Sequence, residues 1–312
     1  MAIAGAMALA SCGQSQPAAT GSAAPSAPAG GAAAHAEPVK TYSVAVDASY
    51  APFEYQDDQG NIVGFSVELM KAIARDQGFE FKFDNTPYEG IFARLQTGER
   101  DVVLASCTIT DERKKTMDFT DPYFEATQMI VTSAAGASIE KFADLKDKLV
   151  SVQTGTTGDL VMQRLQGNTS DKIKRMESMP LALNELLEGG VAASVGDNGV
   201  VSYFIATHPE VKLRAIVDDS FEKERYGFAL GKDRKDDLLA KMNAGLKDIR
   251  ENGEYDRIYN SWFAADGSTR VDETPVDATA PKGAETAGAS GEAKSAEAVG
   301  ADKAAAAKEA AN

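Results

Sequence analysis

The sequence predicts an α/β fold in two lobes with a cleft between them. Three observations carry this. Apolar strands alternate with amphipathic helices through residues 38–266. The order of the first α/β unit recurs in a second. Polar side chains suited to a ligand stand just past several strand ends, where small ligands sit in α/β sheets. A cleft between two such units is a preferred small-molecule site.

The elements follow in order. TYSVAVD (41–47) reads as a strand with Val44 and Val46 on its apolar face. GFSVELMKAIARDQG is an amphipathic helix with Phe65, Leu69, Met70 and Ile73 on one side, ended by Gly78. FEFKF alternates as a half-buried strand does. Ile91, Phe92 and Leu95 mark a short helix closed by Gly98, and DVVLA is a buried strand. This βαβαβ run implies a parallel sheet flanked by helices. KLVSVQ then begins a second series: helix GTTGDLVMQRLQ, weak strand KIKRM, helix PLALNELLEGG from Pro180, and strand VAASVGD. Helix NGVVSYFIATHP, stopped by Pro209, leads to strands LRAIV and ERYGFAL. Two helices close the folded part, DRKDDLLAKMNAGLKDIRENG and EYDRIYNSWF.

The ends differ in composition. MAIAGAMALASCGQ is a short apolar run followed by small residues, too short to span a membrane. Leu9-Ala10-Ser11-Cys12 has the form of a bacterial lipobox, so Cys12 is the expected lipidation site, although no basic segment precedes it. Residues 13–37 have almost no large apolar side chain and are expected to form a disordered tether. Residues 267–312, rich in Ala and Glu, are expected to form a disordered tail of unassigned role.

A net charge of −15 argues against general nucleic-acid binding, which needs a basic footprint. Cys12 and Cys107 are not expected to pair, so stability must come from a packed core. Cys107 reads as a small buried hydrophobe. His35 and His208 form no metal-ligand pattern, and no metal or other cofactor is expected.

Four segments place polar residues after strand ends. The first is Asp47-Ala48-Ser49-Tyr50-Ala51-Pro52-Phe53. The second, within LASCTITDERKKTMDFTDPYF, holds Ser106, Thr108 and Arg113, two hydroxyls and a guanidinium fork suited to a carboxylate. Arg113 beside Glu112, Lys114 and Lys115 equally suits an exposed helix start, and the local pattern leaves both open. The third is Gln153-Thr154-Gly155-Thr156-Thr157, where backbone N–H groups at a helix start favour an anion. QTGTTG lacks the spacing and the Lys of a phosphate loop, which excludes nucleotide binding on that motif. The fourth is Gly196-Asp197-Asn198. Asp197 suits a ligand ammonium, and by itself it suits a helix N-cap better. Tyr50, Phe53 and Tyr88 could flank an aliphatic stem or simply pack.

At this point a family resemblance enters. DASYAPFEYQDDQGNIVGFSVELMKAIA, TITDERKKTMDFTDPYF, VQTGTTG, the Asp197 strand end and GEYDRIYNSWF together resemble the extracellular solute-binding proteins of family 3, the polar amino-acid receptors of ABC importers. The similarity runs over residues 41–264. It implies a two-lobed periplasmic-binding-protein-like fold of type II, each lobe a mostly parallel sheet flanked by helices, joined by two crossover strands near residues 125–130 and 222–228. Lobe 1 would comprise residues 38–126 plus 224–266, and lobe 2 residues 127–223. It further implies that Arg113, Ser106, Thr108 and Thr157 clamp an α-carboxylate, with Thr156 beside them, and that Asp197 accepts the α-ammonium. Tyr50, Phe53 and Tyr88 would form an aromatic wall, and Asp47, Tyr88 and Gln153 would meet the ligand side chain.

Ser106-Cys107 departs from the Gly or Ser before Met or Leu of many relatives. Gln153 is neutral and no second Arg or Lys stands near the side-chain end, so a glutamine-type or basic amino acid is expected rather than an acidic one. The implied partners are a free L-amino acid, the permease subunits of an ABC importer, and the membrane through a lipid anchor. The protein is expected to be a monomer and no enzyme, on the outer face of the cell membrane, or periplasmic in a two-membrane bacterium. Two alternatives share the architecture: a cyclohexadienyl dehydratase-like enzyme and a sensing module for a signalling receptor. Asp197 is expected beside Arg113 and ionised, which favours binding over acid catalysis.

Overall fold

The computed structural model describes residues 38–263. The signal-like segment with Cys12, the expected tether and the expected tail lie outside the described residues. In chain order the elements are β1 (Thr41–Val46), β2 (Ser49–Tyr50), β3 (Glu54–Gln56), β4 (Ile62–Val63), α1 (Phe65–Gln77), β5 (Glu80–Asn85), α2 (Ala93–Gln96), β6 (Val102–Leu104), α3 (Asp111–Lys114), β7 (Met117–Phe119), β8 (Phe124–Ala126) and β9 (Gln128–Thr132). There follow β10 (Val150–Gln153), α4 (Thr157–Gln166), β11 (Ile173–Met176), α5 (Met179–Leu187), β12 (Ala193–Asp197), α6 (Asn198–Thr207), β13 (Arg214–Ile216), β14 (Glu224–Tyr226), β15 (Ala229–Gly231), α7 (Leu238–Glu251) and α8 (Glu254–Phe263).

Two five-stranded sheets organise the lobes, in the orders β5-β1-β6-β15-β7 and β11-β10-β12-β9-β13. In each, three strands run parallel. A strand arriving from the other lobe is inserted antiparallel, β15 beside β6 and β9 beside β12. A two-stranded ribbon, β8 against β14, joins the lobes, with Phe124 opposite Tyr226 and Ala126 opposite Glu224.

Alternation along the central strands explains why both faces are covered. Val44 and Val46 of β1 join the core under α1, α7 and α8, while Ala45 between them joins a cluster with Tyr88, Ile91 and Leu95 on the opposite face. In the second sheet Ile130, Val150, Val152 and Val195 pack on the α4 side, and Met129 and Val131 on the other. Near-continuous apolar strands are the mark of parallel sheets buried on both faces.

The structure departs from the sequence expectation in places. ERYGFAL is two strands, not one. β14 serves the ribbon, and after Gly227-Phe228 the chain enters the first sheet as β15. The helix expected from Pro180 begins one residue earlier, because Ser178 caps it by accepting from the Leu181 N–H. FEFKF is an edge strand whose Phe81 and Phe83 are only partly covered. The small antiparallel sheet β2-β3-β4 was not foreseen, since its two- and three-residue strands carry no periodicity. It is fixed by a close approach. A Cβ on Gly64, at φ 130°, would stand 2.1 Å from the Phe53 carbonyl oxygen, so only glycine lets α1 start there.

Candidate functional site

One pocket collects ten of the eleven residues expected to contact a ligand: Asp47, Tyr50, Tyr88, Ser106, Thr108, Arg113, Gln153, Thr156, Thr157 and Asp197, with Ala105 as a further lining residue. Each side chain stands at or just past a strand end. Asp47 and Tyr50 follow β1, Ser106 and Thr108 follow β6, Gln153 ends β10, and Asp197 ends β12. This is the carboxyl edge of each sheet, where α/β folds leave room for ligands.

Phe53 is not among them. It is fully buried, with its ring 4.8 Å from that of Phe124 and 5.4 Å from that of Tyr226. The expected wall member is a core aromatic; the turn at Ala51-Pro52 carries it inward, and Tyr50 alone of that segment presents its ring to the pocket.

Arg113 reaches inward from the four-residue helix α3, whose Asp111, Glu112 and Lys114 remain outside the pocket lining. Its Nη1 donates to the Thr108 carbonyl oxygen at 2.9 Å and its Nη2 to Tyr88 Oη at 2.6 Å. A longer bond, 3.4 Å, runs from Nη2 to the Gly155 carbonyl in the other lobe. The exposed helix-start alternative describes its neighbours and not Arg113.

Asp197 occupies the N-cap position of α6 but makes no side-chain cap bond. Its Oδ2 accepts from Tyr50 Oη at 2.8 Å and from Tyr226 Oη, and its Oδ1 accepts from Gln128 Nε2. Arg113 stands within electrostatic reach of Asp197, as expected, but its hydrogen bonds run elsewhere. Arg113 is bound to Tyr88 and to backbone carbonyls, and neutral donors surround Asp197. Burial first, and the neighbouring Glu224 charge second, push its carboxyl up to about 7 against the hydrogen bonds that oppose them.

The other pocket groups are held from behind. Asp47 accepts from Ser49 Oγ at 2.8 Å and, across the cleft, from Gln153 Nε2 at 2.9 Å; burial raises its pKa. With its amide nitrogen turned to Asp47, Gln153 leaves its buried Oε1 without a partner in the chain. Thr156 caps α4 by accepting from the Asp159 N–H. The Gly155 N–H donates to Asp159 Oδ2, so this helix start offers an anion fewer amides than its sequence promised. Cys107 is buried and free, as its small apolar character foretold.

Four residues were not singled out in the sequence. Glu224 Oε2 accepts from Thr108 Oγ1 at 2.5 Å and from Thr157 Oγ1 at 2.8 Å, one hydroxyl from each lobe. Gln128 Nε2 donates to Glu224 Oε1 at 2.9 Å. Tyr226 holds Asp197, and Glu54, fully buried, accepts from Ser106 Oγ at 3.1 Å. Polar residues inside apolar strand runs were the available signal, since such residues are buried only with partners.

Among the described residues no cluster of His, Cys, Asp and Glu could hold a metal ion, and no helix is long and apolar enough to cross a membrane.

This geometry has known counterparts. A probable histidine-binding protein of Neisseria gonorrhoeae is 41% identical over 238 residues, 76% of this chain and 88% of the relative. An arginine-binding extracellular protein of Bacillus subtilis is 30% identical over 227 residues, 73% of this chain and 88% of the relative. Among solved structures, the arginine-, lysine-, histidine-binding protein ArtJ of Geobacillus stearothermophilus superposes with a TM-score of 0.69 at 40% identity, covering 72% of this chain and 96% of that one. These likenesses give the fold as that of the type II periplasmic binding proteins. The family description covers residues 42–265, from β1 to the end of α8, and the chain belongs to the bacterial extracellular solute-binding proteins, family 3.

Proposed function

We propose that the protein captures one free basic amino acid in this pocket by closure of its two lobes and delivers it to the membrane subunits of an ABC importer. One observation carries the proposal: the guanidinium of Arg113 and the carboxyl of Asp197 line the same pocket from opposite lobes. A zwitterion leaving water needs both its charges matched, or burial costs several kcal/mol. Arg113, with the Ser106 hydroxyl, takes the α-carboxylate; Thr108 and Thr157 line the same wall with their hydroxyl hydrogens held by Glu224. Asp197 takes the α-ammonium. Tyr50 and Tyr88 flank the stem, with Thr156 at the pocket wall.

The charge balance favours a cationic side chain. Four carboxyls, Asp47, Asp197, Glu54 and Glu224, stand in or directly behind the pocket against the one lining guanidinium. At the side-chain end Asp47 and the unpartnered Gln153 Oε1 are both acceptors, which suits a donor-rich group such as a guanidinium. The histidine- and arginine-binding relatives support the same class. Closure is then a hinge motion favoured by a ligand that touches both lobes.

Acylation at Cys12 and the tether of residues 13–37 would hold the receptor near its permease and raise its effective concentration there. Lobe 1 is assigned residues 38–126 and 224–266, lobe 2 residues 127–223.

Isothermal calorimetry of the full chain against the twenty amino acids tests the proposal. Arginine, lysine or histidine is expected to bind most tightly. Tighter binding of glutamine overturns the side-chain assignment, and binding of none overturns the receptor. The raised carboxyl of Asp197 is also what acid catalysis by a dehydratase would use. Turnover of prephenate at enzyme-like rates would therefore replace transport with catalysis.

A further inference from the structure

Beneath the pocket lies a second, sealed group of polar side chains that ligand contact does not explain. Glu54 of β3 is 0% exposed and sits among Ser106, Ser66 and Tyr123. Its Oε2 is 3.1 Å from Ser106 Oγ, while its Oε1 is buried with no partner in the chain. Ser66 Oγ and Tyr123 Oη bond each other at 3.2 Å on the far side. Ser106 links this group to the pocket, whose wall it forms. It is held at φ 39°, a backbone region that non-glycine residues rarely enter and that concentrates at ligand clamps.

The bookkeeping of one hydrogen decides what Ser106 can do. A serine hydroxyl has one hydrogen and two acceptor lone pairs. Facing an ionised Glu54, that hydrogen must point down to the carboxylate, and Ser106 then turns lone pairs toward the ligand carboxylate. Facing a neutral Glu54, the acid donates and Ser106 accepts, which frees the serine hydrogen for the pocket. The unpartnered Oε1 distinguishes the two states. As the carbonyl oxygen of a neutral acid it is tolerable when buried, whereas a carboxylate oxygen without a donor costs several kcal/mol.

We propose that Glu54 is a positioning residue for the ligand carboxylate: as a neutral acid it donates its proton to Ser106 Oγ and so directs the single Ser106 hydrogen at the ligand. The titratable surroundings agree. Burial is the largest influence and raises the Glu54 pKa well above the ordinary carboxylate range, outweighing the lowering influence of the nearby Ser106 and Ser66 hydroxyls. Asp47 at the end of β1 and Asp197 at the end of β12 raise it further. Cys107 after β6 and Tyr123 after β7 face it as neutral groups, their own pKa values raised by burial. The inference rests on the carboxylate clamp proposed above, but its protonation half does not.

Two measurements on the full chain test it. Infrared spectra at about pH 8, where an ordinary Glu is fully ionised, are expected to show a protonated-carboxyl band that Glu54→Gln diminishes. Absence of that band in the wild type, or a band of undiminished intensity in Glu54→Gln, overturns the proposal whatever ligand is bound. Arginine calorimetry supplies the second readout. Glu54→Gln keeps a donor toward Ser106 and is expected to bind within about threefold of wild type, because the Ser106 hydrogen still points at the ligand. A Glu54→Gln protein that binds about tenfold more weakly or worse overturns it. If no amino acid binds the wild type, the receptor reading fails, and the infrared band still decides the state of Glu54.

Discussion

Tyr50 Oη donates to Asp197 Oδ2 at 2.8 Å, across 147 residues of sequence and from one lobe to the other. The acceptor is a buried carboxyl whose other partners, Tyr226 and Gln128, are also neutral donors. The Arg113 guanidinium acts on it only through space, with its own hydrogen bonds committed to Tyr88 and the Thr108 carbonyl. This pair therefore sets how the protein answers to pH.

Stability is the first consequence. The Asp197 carboxyl is pushed up to about 7, chiefly by burial and next by Glu224, whereas in the unfolded chain it titrates near 4. The folded state thus binds the proton more tightly. Its contribution is complete below about pH 4 and is lost as pH rises through about 7. Without added amino acid, the melting temperature of Asp197→Asn is expected to gain on that of the wild type between these values. A difference that stays constant with pH would assign Asp197 an ordinary carboxyl.

Binding should show the opposite slope. A ligand ammonium favours the ionised carboxylate, so uptake expels the proton that Asp197 carries in acid. Arginine affinity is expected to fall below about pH 7, by up to about tenfold per unit. Calorimetry in buffers of different ionisation enthalpy should detect the released proton, and Asp197→Asn should release none.

Truncation of either charge tests the clamp more bluntly. Arg113→Ala and Asp197→Ala are each expected to weaken amino-acid binding by at least about 2 kcal/mol, since each leaves a buried ligand charge unpaired. Arg113→Lys should recover only part of the loss, because an ammonium cannot reproduce the bidentate fork. Unchanged affinity in either alanine variant would remove that residue from the site.

Much of this site was legible because its residues follow strand ends that the sequence marks clearly. DVVLA and VAASV are short apolar runs, and the polar residues after them are where the sheet must open. Phe53 was misplaced because an aromatic in a loop carries no periodicity to say which way it points. Glu224 and Gln128 were missed for a related reason: their strands are short, and each lies where the chain passes between lobes. In the sequence Glu224 shows only as one charged residue between Lys223 and Arg225, and Gln128 as a polar residue beside Met129, while the partners Thr108 and Thr157 come from distant segments. That Tyr50, Tyr226 and Gln128 ring the Asp197 carboxyl depended on distances that no spacing encodes.

Asp47 should govern the choice between basic and neutral ligands. Its Oδ2 holds Gln153 Nε2 across the cleft, and with its charge the side-chain end offers acceptors alone. Asp47→Asn removes the charge at nearly constant volume. Arginine affinity is expected to drop by about tenfold or more, the scale of a charge-assisted hydrogen bond, with glutamine affinity changed far less. A parallel loss for both ligands would place Asp47 in scaffolding rather than selection.

Closure itself depends on a missing methyl group. A Cβ at Gly199, in the first turn of α6, would stand 2.7 Å from Phe53 Cζ. The Phe53 ring cannot retreat, because Phe124, Tyr226, Phe65 and Phe263 surround it. Gly199 belongs to the lobe 2 helix that begins at Asp197, and Phe53 to the segment after β2 in lobe 1. Gly199→Ala therefore wedges the lobes at the place where they meet, and overpacking of this kind costs about 1–3 kcal/mol. Amino-acid affinity should fall by the wedge energy, and small-angle scattering with saturating ligand should show a larger radius of gyration than the wild type. Wild-type affinity and compaction in Gly199→Ala would mean that the lobes close without bringing Phe53 against α6.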